Sequence, residues 1–212
     1  MPDLSPLLSQ KVQGPFLLHQ LIGAGVGFPD KMASYRRNLV RLADKAVRNY
    51  CDARKYVILQ IQEQERPPEE MARVGRIIYV HEATNSLEDC IITTRRLYRY
   101  FERIRTDPSE FPLERLLKRR IEVLEDSIRG VRNLIEHLDE DIYNDKLEPE
   151  QTTAPVLDAT ANTITMAGIA LPVVNLARAV EHFHAFALDF AQYRRKPDGT
   201  YEPMPKSGLV GS

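Results

Sequence analysis

The chain has 212 residues, 43% of them hydrophobic and 28% charged, which supplies enough apolar material for one sizeable core and excludes a disordered polypeptide. A formal net charge of -1 excludes a surface coated uniformly for nucleic acid, and two cysteines, Cys51 and Cys90, exclude a disulfide framework; both read as buried thiols in a reducing compartment. No basic stretch precedes an apolar run at the N-terminus and no apolar run is long enough to span a bilayer, so a cytoplasmic protein with no membrane partner is expected.

Residues 1–30 carry Pro2, Pro6, Pro15 and Pro29 with Gly14, Gly23, Gly25 and Gly27, and are expected to form an irregular lead-in. Within it Phe16 begins an apolar strap. The glycines at 23, 25 and 27 lack the preceding strand and the following Lys-Ser/Thr of a phosphate cradle.

Residues 31–195 read as a single helical domain. A first long helix is predicted over about 31–65, with Val40, Ala43, Val47, Tyr50, Val57 and Ile61 at heptad spacing, Arg54 on the same seam, where it either reaches a carboxylate on a neighbouring helix or snorkels at the bundle edge, and Pro67-Pro68 as the stop. A second is predicted over about 69–105, with a seam through Ile77, Val80, Thr84, Leu87, Ile91, Thr94, Tyr98 and Phe101. Beside it runs a polar stripe of His81, Asn85, Glu88, Arg95 and Arg99, whose spacing fits ion pairs better than metal ligation. The third, over about 112–145, has the cleanest seam: Leu117, Ile121, Leu124, Ile128, Val131, Ile135, Leu138 and Ile142.

After a connection over 147–161 the alternation near 162–171 predicts a small hairpin. A fourth helix follows from Val173 to about residue 195, burying Leu176, Val180, Phe183, Ala187 and Phe190. Residues 196–212 are expected to be an extended or mobile tail. The basic runs Arg36-Arg37, Arg95-Arg96 with Arg99 and Arg103, Lys118-Arg119-Arg120 and Arg194-Arg195-Lys196 each read first as solvated faces. The expected fold is all-α: an antiparallel helical bundle of three long helices plus a C-terminal helix, with the hairpin before the last.

The third helix also bears the one motif that suggests chemistry, Arg132-Asn133-Leu134-Ile135-Glu136-His137. At about 100° per residue Asn133 and His137 point roughly 150–170° away from the seam, and Arg132 lies on its shoulder at about 70°, where truncation is expected to cost little stability. An Arg separated from a following His by four or five residues also occurs at Arg76 to His81 and Arg178 to His184, but there the Arg is followed by the apolar Ile77 and Ala179.

This run, on a helical scaffold, resembles the R-x4-H motif of the HEPN superfamily, helical-bundle proteins that include many metal-independent ribonucleases of toxin-antitoxin and defence systems. The resemblance implies that His137 transfers the proton, Arg132 stabilises phosphate charge in the transition state and Asn133 orients one or the other. It implies no metal or other cofactor, and a homodimer in which two motif faces enclose a cleft for RNA, with a cognate antitoxin or regulatory protein as a further partner.

The alternative is a non-catalytic helical dimer that binds a protein partner or a nucleotide or phosphate ligand through the same face, favoured by the acidic neighbours Glu122, Asp126, Glu136, Glu140 and Asp141. In the plainest form of that alternative Arg132 pairs with Glu136 and Asn133 and His137 are solvated.

Overall fold

The computed structural model describes residues 1–14, 16–17, 30–107, 111, 115–146, 152–158 and 160–203, and within them the chain is mostly helical. The glycine-rich stretch 23–27, residues 147–151 at the start of the expected connection and the tail from 204 onward lie outside the described residues. The helices are α1 (Ser5–Leu8), α2 (Asp30–Gln64), α3 (Pro68–Val74), α4 (Val80–Arg105), α5 (Arg115–Tyr143) and α6 (Val173–Ala191).

Apolar residues at three- and four-residue spacing make α2 and α4 amphipathic, and their buried faces meet. Lys31 pairs with Asp107 at 3.7 Å, the Tyr35 and Tyr100 rings lie 5.9 Å apart, Lys45 reaches Asp89 at 3.8 Å, and the Tyr79 N–H donates to Gln60 at 2.8 Å. Residue numbers rise along α2 as they fall along α4, so the two form an antiparallel helical hairpin.

Helix α6 packs on both. Its Phe183 ring meets Tyr98 of α4 at 4.7 Å, while the Arg36 guanidinium of α2 donates to the carbonyl of Ala191 at its end. Helix α5 is fastened to α4 by the Tyr98 hydroxyl, which donates to the Ile121 carbonyl at 3.0 Å, and to α6 by Asn175, whose amide donates to the Ser127 hydroxyl at 3.5 Å. The predicted buried set of α6 is buried throughout, and the centre of the α5 seam, Ile121 to Val131, is likewise in the core.

The second predicted helix is interrupted. Gly75, at φ 83°, takes the left-handed conformation that ends α3, and residues 75–79 run non-helically to α4. That segment is held by side chains of α2 and of the turn after it: Glu63 accepts from the Ile77 N–H at 3.0 Å, Gln60 from Tyr79, and Arg66 donates to the Gly75 carbonyl. Ile77 and Val80 therefore leave the predicted seam and stand 46% and 48% exposed.

The predicted hairpin is present as β2 (Thr163–Met166) and β3 (Ile169–Pro172), and β1 (Val156–Asp158) adds an antiparallel third strand. Ala167 and Gly168 have φ of 44° and 79°, the doubly positive turn that lets two residues join twisted strands. Helix α6 stops at Ala191, short of the predicted end, because Tyr193–Arg195 and Tyr201–Pro203 pair as β4 and β5. The Asp198 carboxylate closes their turn by accepting from the Thr200 N–H at 2.9 Å, and Gly199 at φ 89° completes it. The first part of the expected tail is thus a hairpin whose Tyr193 and Tyr201 rings pack on Phe111 at 4.9 and 5.2 Å.

The N-terminal residues, expected to be irregular, contribute α1 and bury Leu4, Val12 and Phe16. The buried Asp44 carboxylate accepts from the N–H groups of Val12 and Gln13 at 3.0 Å each, and His184 donates through Nε2 to the Gln10 carbonyl at 3.0 Å. Arg54 finds its partners here rather than on a helix, donating to the Met1 carbonyl at 3.3 Å and lying 3.9 Å from Asp3.

Burial holds the His184 imidazole below its ordinary range, the Gln10 carbonyl and Asp44 opposing the shift. A histidine with a depressed pKa in the folded state is neutral in both states above about pH 6.5, and below that the unfolded chain takes up the proton first. Stability is therefore expected to fall as the pH drops from about 6.5, and His184→Gln, which keeps a donor for Gln10, to flatten that fall; thermal melts between pH 7.5 and 5 test this. Equal slopes for variant and wild type would show that His184 is not the linked group.

Candidate active-site face of α5

Helix α5 is built so that one face is apolar and the opposite one polar, and the three motif residues divide between them. Arg132, predicted at the shoulder of the seam, is only 6% exposed. Its carboxylate partner is Glu136, one turn on, and its Nη1 donates to the Asn133 side-chain oxygen at 2.9 Å. Arg132 Nε has no hydrogen-bond partner among the described residues. Asn133 and His137 are exposed as predicted, and His137 Nδ1 lies 3.3 Å from the Glu140 carboxylate in a solvent-facing pair.

A second arginine reaches the same carboxylate. Arg99 of α4 stands 3.7 Å from Glu136, and one turn earlier Arg95 donates to Glu125 of α5 at 2.6 Å. The polar stripe on α4 is thus ion-paired where it meets α5, as its spacing suggested. Its other members do not join the site: His81 and Asn85 are exposed and Glu88 is half-buried. Among the described residues no group of three or more His, Cys, Asp or Glu is placed to hold a metal ion.

Arg132, Asn133 and Glu136 are therefore one connected cluster, while His137 stands apart from Arg132 and touches Glu140. A single chain presents an imidazole and an amide on an open surface, with the guanidinium behind them. That arrangement gives a phosphate one flank and no enclosure, and proton transfer in such a site needs a second wall to exclude water.

Three buried charged groups are absent from the motif and were not foreseen as buried. Arg36, read in sequence as part of a solvated run, is 2% exposed and lies against the Phe16 ring at 5.1 Å; burial pushes its pKa down to about 10. Asp44 and Glu63 hold backbone N–H groups of the N-terminal segment and of residues 75–79. Each acts on the chain's own backbone, so their work is structural. Away from α5, a groove of about 230 Å3 lies between α2, α4 and β1, lined by apolar residues including Val57, Ile61, Val80, Leu87 and Leu157.

No helix among the described residues is long and apolar enough to cross a membrane. What the fold and the site define is a mostly helical protein with an amide and an imidazole exposed on one long helix and a buried arginine behind them. No family model, curated protein or solved structure matches the chain.

Proposed function

We propose that the protein is a HEPN-like, metal-independent endoribonuclease, a toxin or defence component, whose helices form an antiparallel bundle and whose site is completed by homodimerisation. The observation that carries this reading is the outward aim of Asn133 and His137 on the helix that also holds Arg132. An imidazole titrates near neutral pH and is suited to take the 2′-OH proton or to protonate the leaving oxygen. Arg132 supplies a permanent planar cation to the developing phosphate charge, and Asn133, hydrogen-bonded to it, fixes its fork. A second copy of the face supplies the missing wall, and a cognate antitoxin or regulatory protein would act by covering it.

Leu116 at 61% and Val123 at 72% exposure, with half-buried Leu134, form an apolar edge beside this polar face and suit a two-fold contact. Light scattering at micromolar concentration is expected to give about twice 24.3 kDa; a purely monomeric protein would remove the composite site. In the cleavage assay, a mixed single-stranded RNA at low salt in EDTA is cut by the wild type, and His137→Ala slows this by about a hundredfold or more. Arg76→Ala retains the ability to cut.

A second reading is favoured by one specific observation. Arg132 is already paired with Glu136 and buried, as a purely structural arginine would be. In this reading the α5 face binds a protein or a phosphate-bearing ligand without cleaving it, and an inert wild type, or a folded His137→Ala that cuts as fast as wild type, decides for it.

A further inference from the structure

We propose that the surface where the start of α5 meets the middle of α6 is a phosphate-binding track for a single-stranded nucleic acid backbone, built from Arg119, Arg120 and Arg178 with Arg115, Lys118 and His182 beside them. Arg115, Arg119, Arg120 and Arg178 are exposed, and Lys118 and His182 are half-buried. None of the six has a carboxylate within ion-pair distance among the described residues. By contrast Arg95, Arg99, Arg105, Arg129 and Arg132, elsewhere on α4 and α5, are each matched to one.

The cluster crosses between two helices. Arg178 and His182 stand one turn apart on α6, packed against α5 where Asn175 meets Ser127, and burial together with the charges of Arg120 and Arg178 holds the His182 imidazole below its ordinary range, Glu181 opposing them. Like charges gathered at a helix junction repel one another, and the arrival of an anion relieves that repulsion. Cations spread over Arg115 to Arg120 cover about 7.5 Å of helix and continue across to α6, a spacing that fits successive phosphates of a polymer better than one ion.

The helix repeat ties this track to the motif. Arg119 and His137 are 18 residues apart, as are Arg115 and Asn133, and 18 residues make five full turns, so each pair lies on one line about 27 Å long. Glu122 and Asp126, which share that outward face, are held by Arg105 and Arg129. A strand anchored at Arg119 and laid along α5 arrives at His137. The track rests on the reading that this face acts on RNA, but it fails or stands separately from the cleavage step.

The experiment is fluorescence anisotropy of a labelled mixed-sequence single-stranded RNA, 2′-O-methylated so that it is bound without being cut, with the full chain, in EDTA, across a salt series. Arg120→Glu with Arg178→Glu is expected to weaken binding at least tenfold and to reduce the slope of log K against log salt by about 1.4, the loss of two phosphate contacts. Arg73→Glu with Arg76→Glu changes net charge equally on α3 and the segment that leads into α4 and is expected to stay within twofold. Equal weakening by both pairs, weakening by neither, or no RNA binding by the wild type overturns the track; full displacement by millimolar inorganic phosphate overturns its assignment to a polymer. Unmodified RNA that is bound through the track yet not cut refutes the nuclease and leaves the track. Unmodified RNA that is cut, with binding unchanged in Arg120→Glu with Arg178→Glu, does the reverse.

Discussion

Replacing Phe183 with alanine is expected to destabilise the fold by about 3–5 kcal/mol and to lower the melting temperature by roughly 10 °C. Phe183 is fully buried on α6, its ring edge-on to Tyr98 at 4.7 Å and to Phe101 at 6.2 Å on α4. The same Tyr98 carries its hydroxyl to the Ile121 carbonyl of α5, so the lost ring loosens the place where three helices meet. A vacated aromatic site costs both the transfer of the ring and the cavity that rigid neighbours cannot close. Tyr98→Phe keeps the packing and loses one buried hydrogen bond, and is expected to cost about 1 kcal/mol. Thermal melts followed by circular dichroism compare the two; a Phe183→Ala cost no larger than that of Tyr98→Phe would show that the ring is not the keystone of this junction.

The helices that build this junction were legible because burial repeats with the helix period over many residues. Leu176, Val180, Phe183, Ala187 and Phe190 identify the inner face of α6 from spacing alone, and Ile121, Leu124, Ile128 and Val131 do so for α5. The same spacing misleads at element ends: Ile142 continues the α5 seam yet is 52% exposed. Gly75 hid a break because a single glycine inside a periodic run is compatible with helix, and the side chains that stabilise the break, Gln60 and Glu63, belong to a different helix. The β4–β5 hairpin had a local signal, Asp198-Gly199, inside a stretch whose prolines argued for an open tail.

Long-range polar contacts left the weakest trace. Nothing in the local sequence ties Asp44 to the backbone of Val12 and Gln13, or Arg36 to the end of α6, because those partners are brought near only by the folded helices. The face of each motif residue was readable from helix geometry, which placed Asn133 and His137 outward. The depth of Arg132 was not: a residue on the shoulder of a seam is buried or exposed according to what α4 lays over it, and Arg99 comes close enough to share Glu136.

That depth changes what Arg132→Ala should do. The sequence reading expects almost no stability cost; the buried guanidinium, its hydrogen bond to Asn133 and its pair with Glu136 raise the expectation to about 1–2 kcal/mol. The cost stays below that of breaking a deeply buried ion pair because Glu136 is 39% exposed on its side chain, is screened by solvent and keeps Arg99 at 3.7 Å. Cleavage should respond far more strongly, falling about a hundredfold to a thousandfold, since a cation aimed at developing charge acts on the transition state. Glu136→Gln separates the two roles of the pair. The amide still accepts a hydrogen bond from Arg132 but no longer neutralises it, so phosphate meets an uncompensated guanidinium, and kcat/KM is expected to rise several-fold with little change in melting temperature. Single-turnover cleavage by the wild type and both variants, with melts alongside, reads these effects separately. An Arg132→Ala protein that cuts within twofold of wild type would leave the guanidinium a structural group within α5, tied to Glu136 and Asn133, and would move the chemistry off this face.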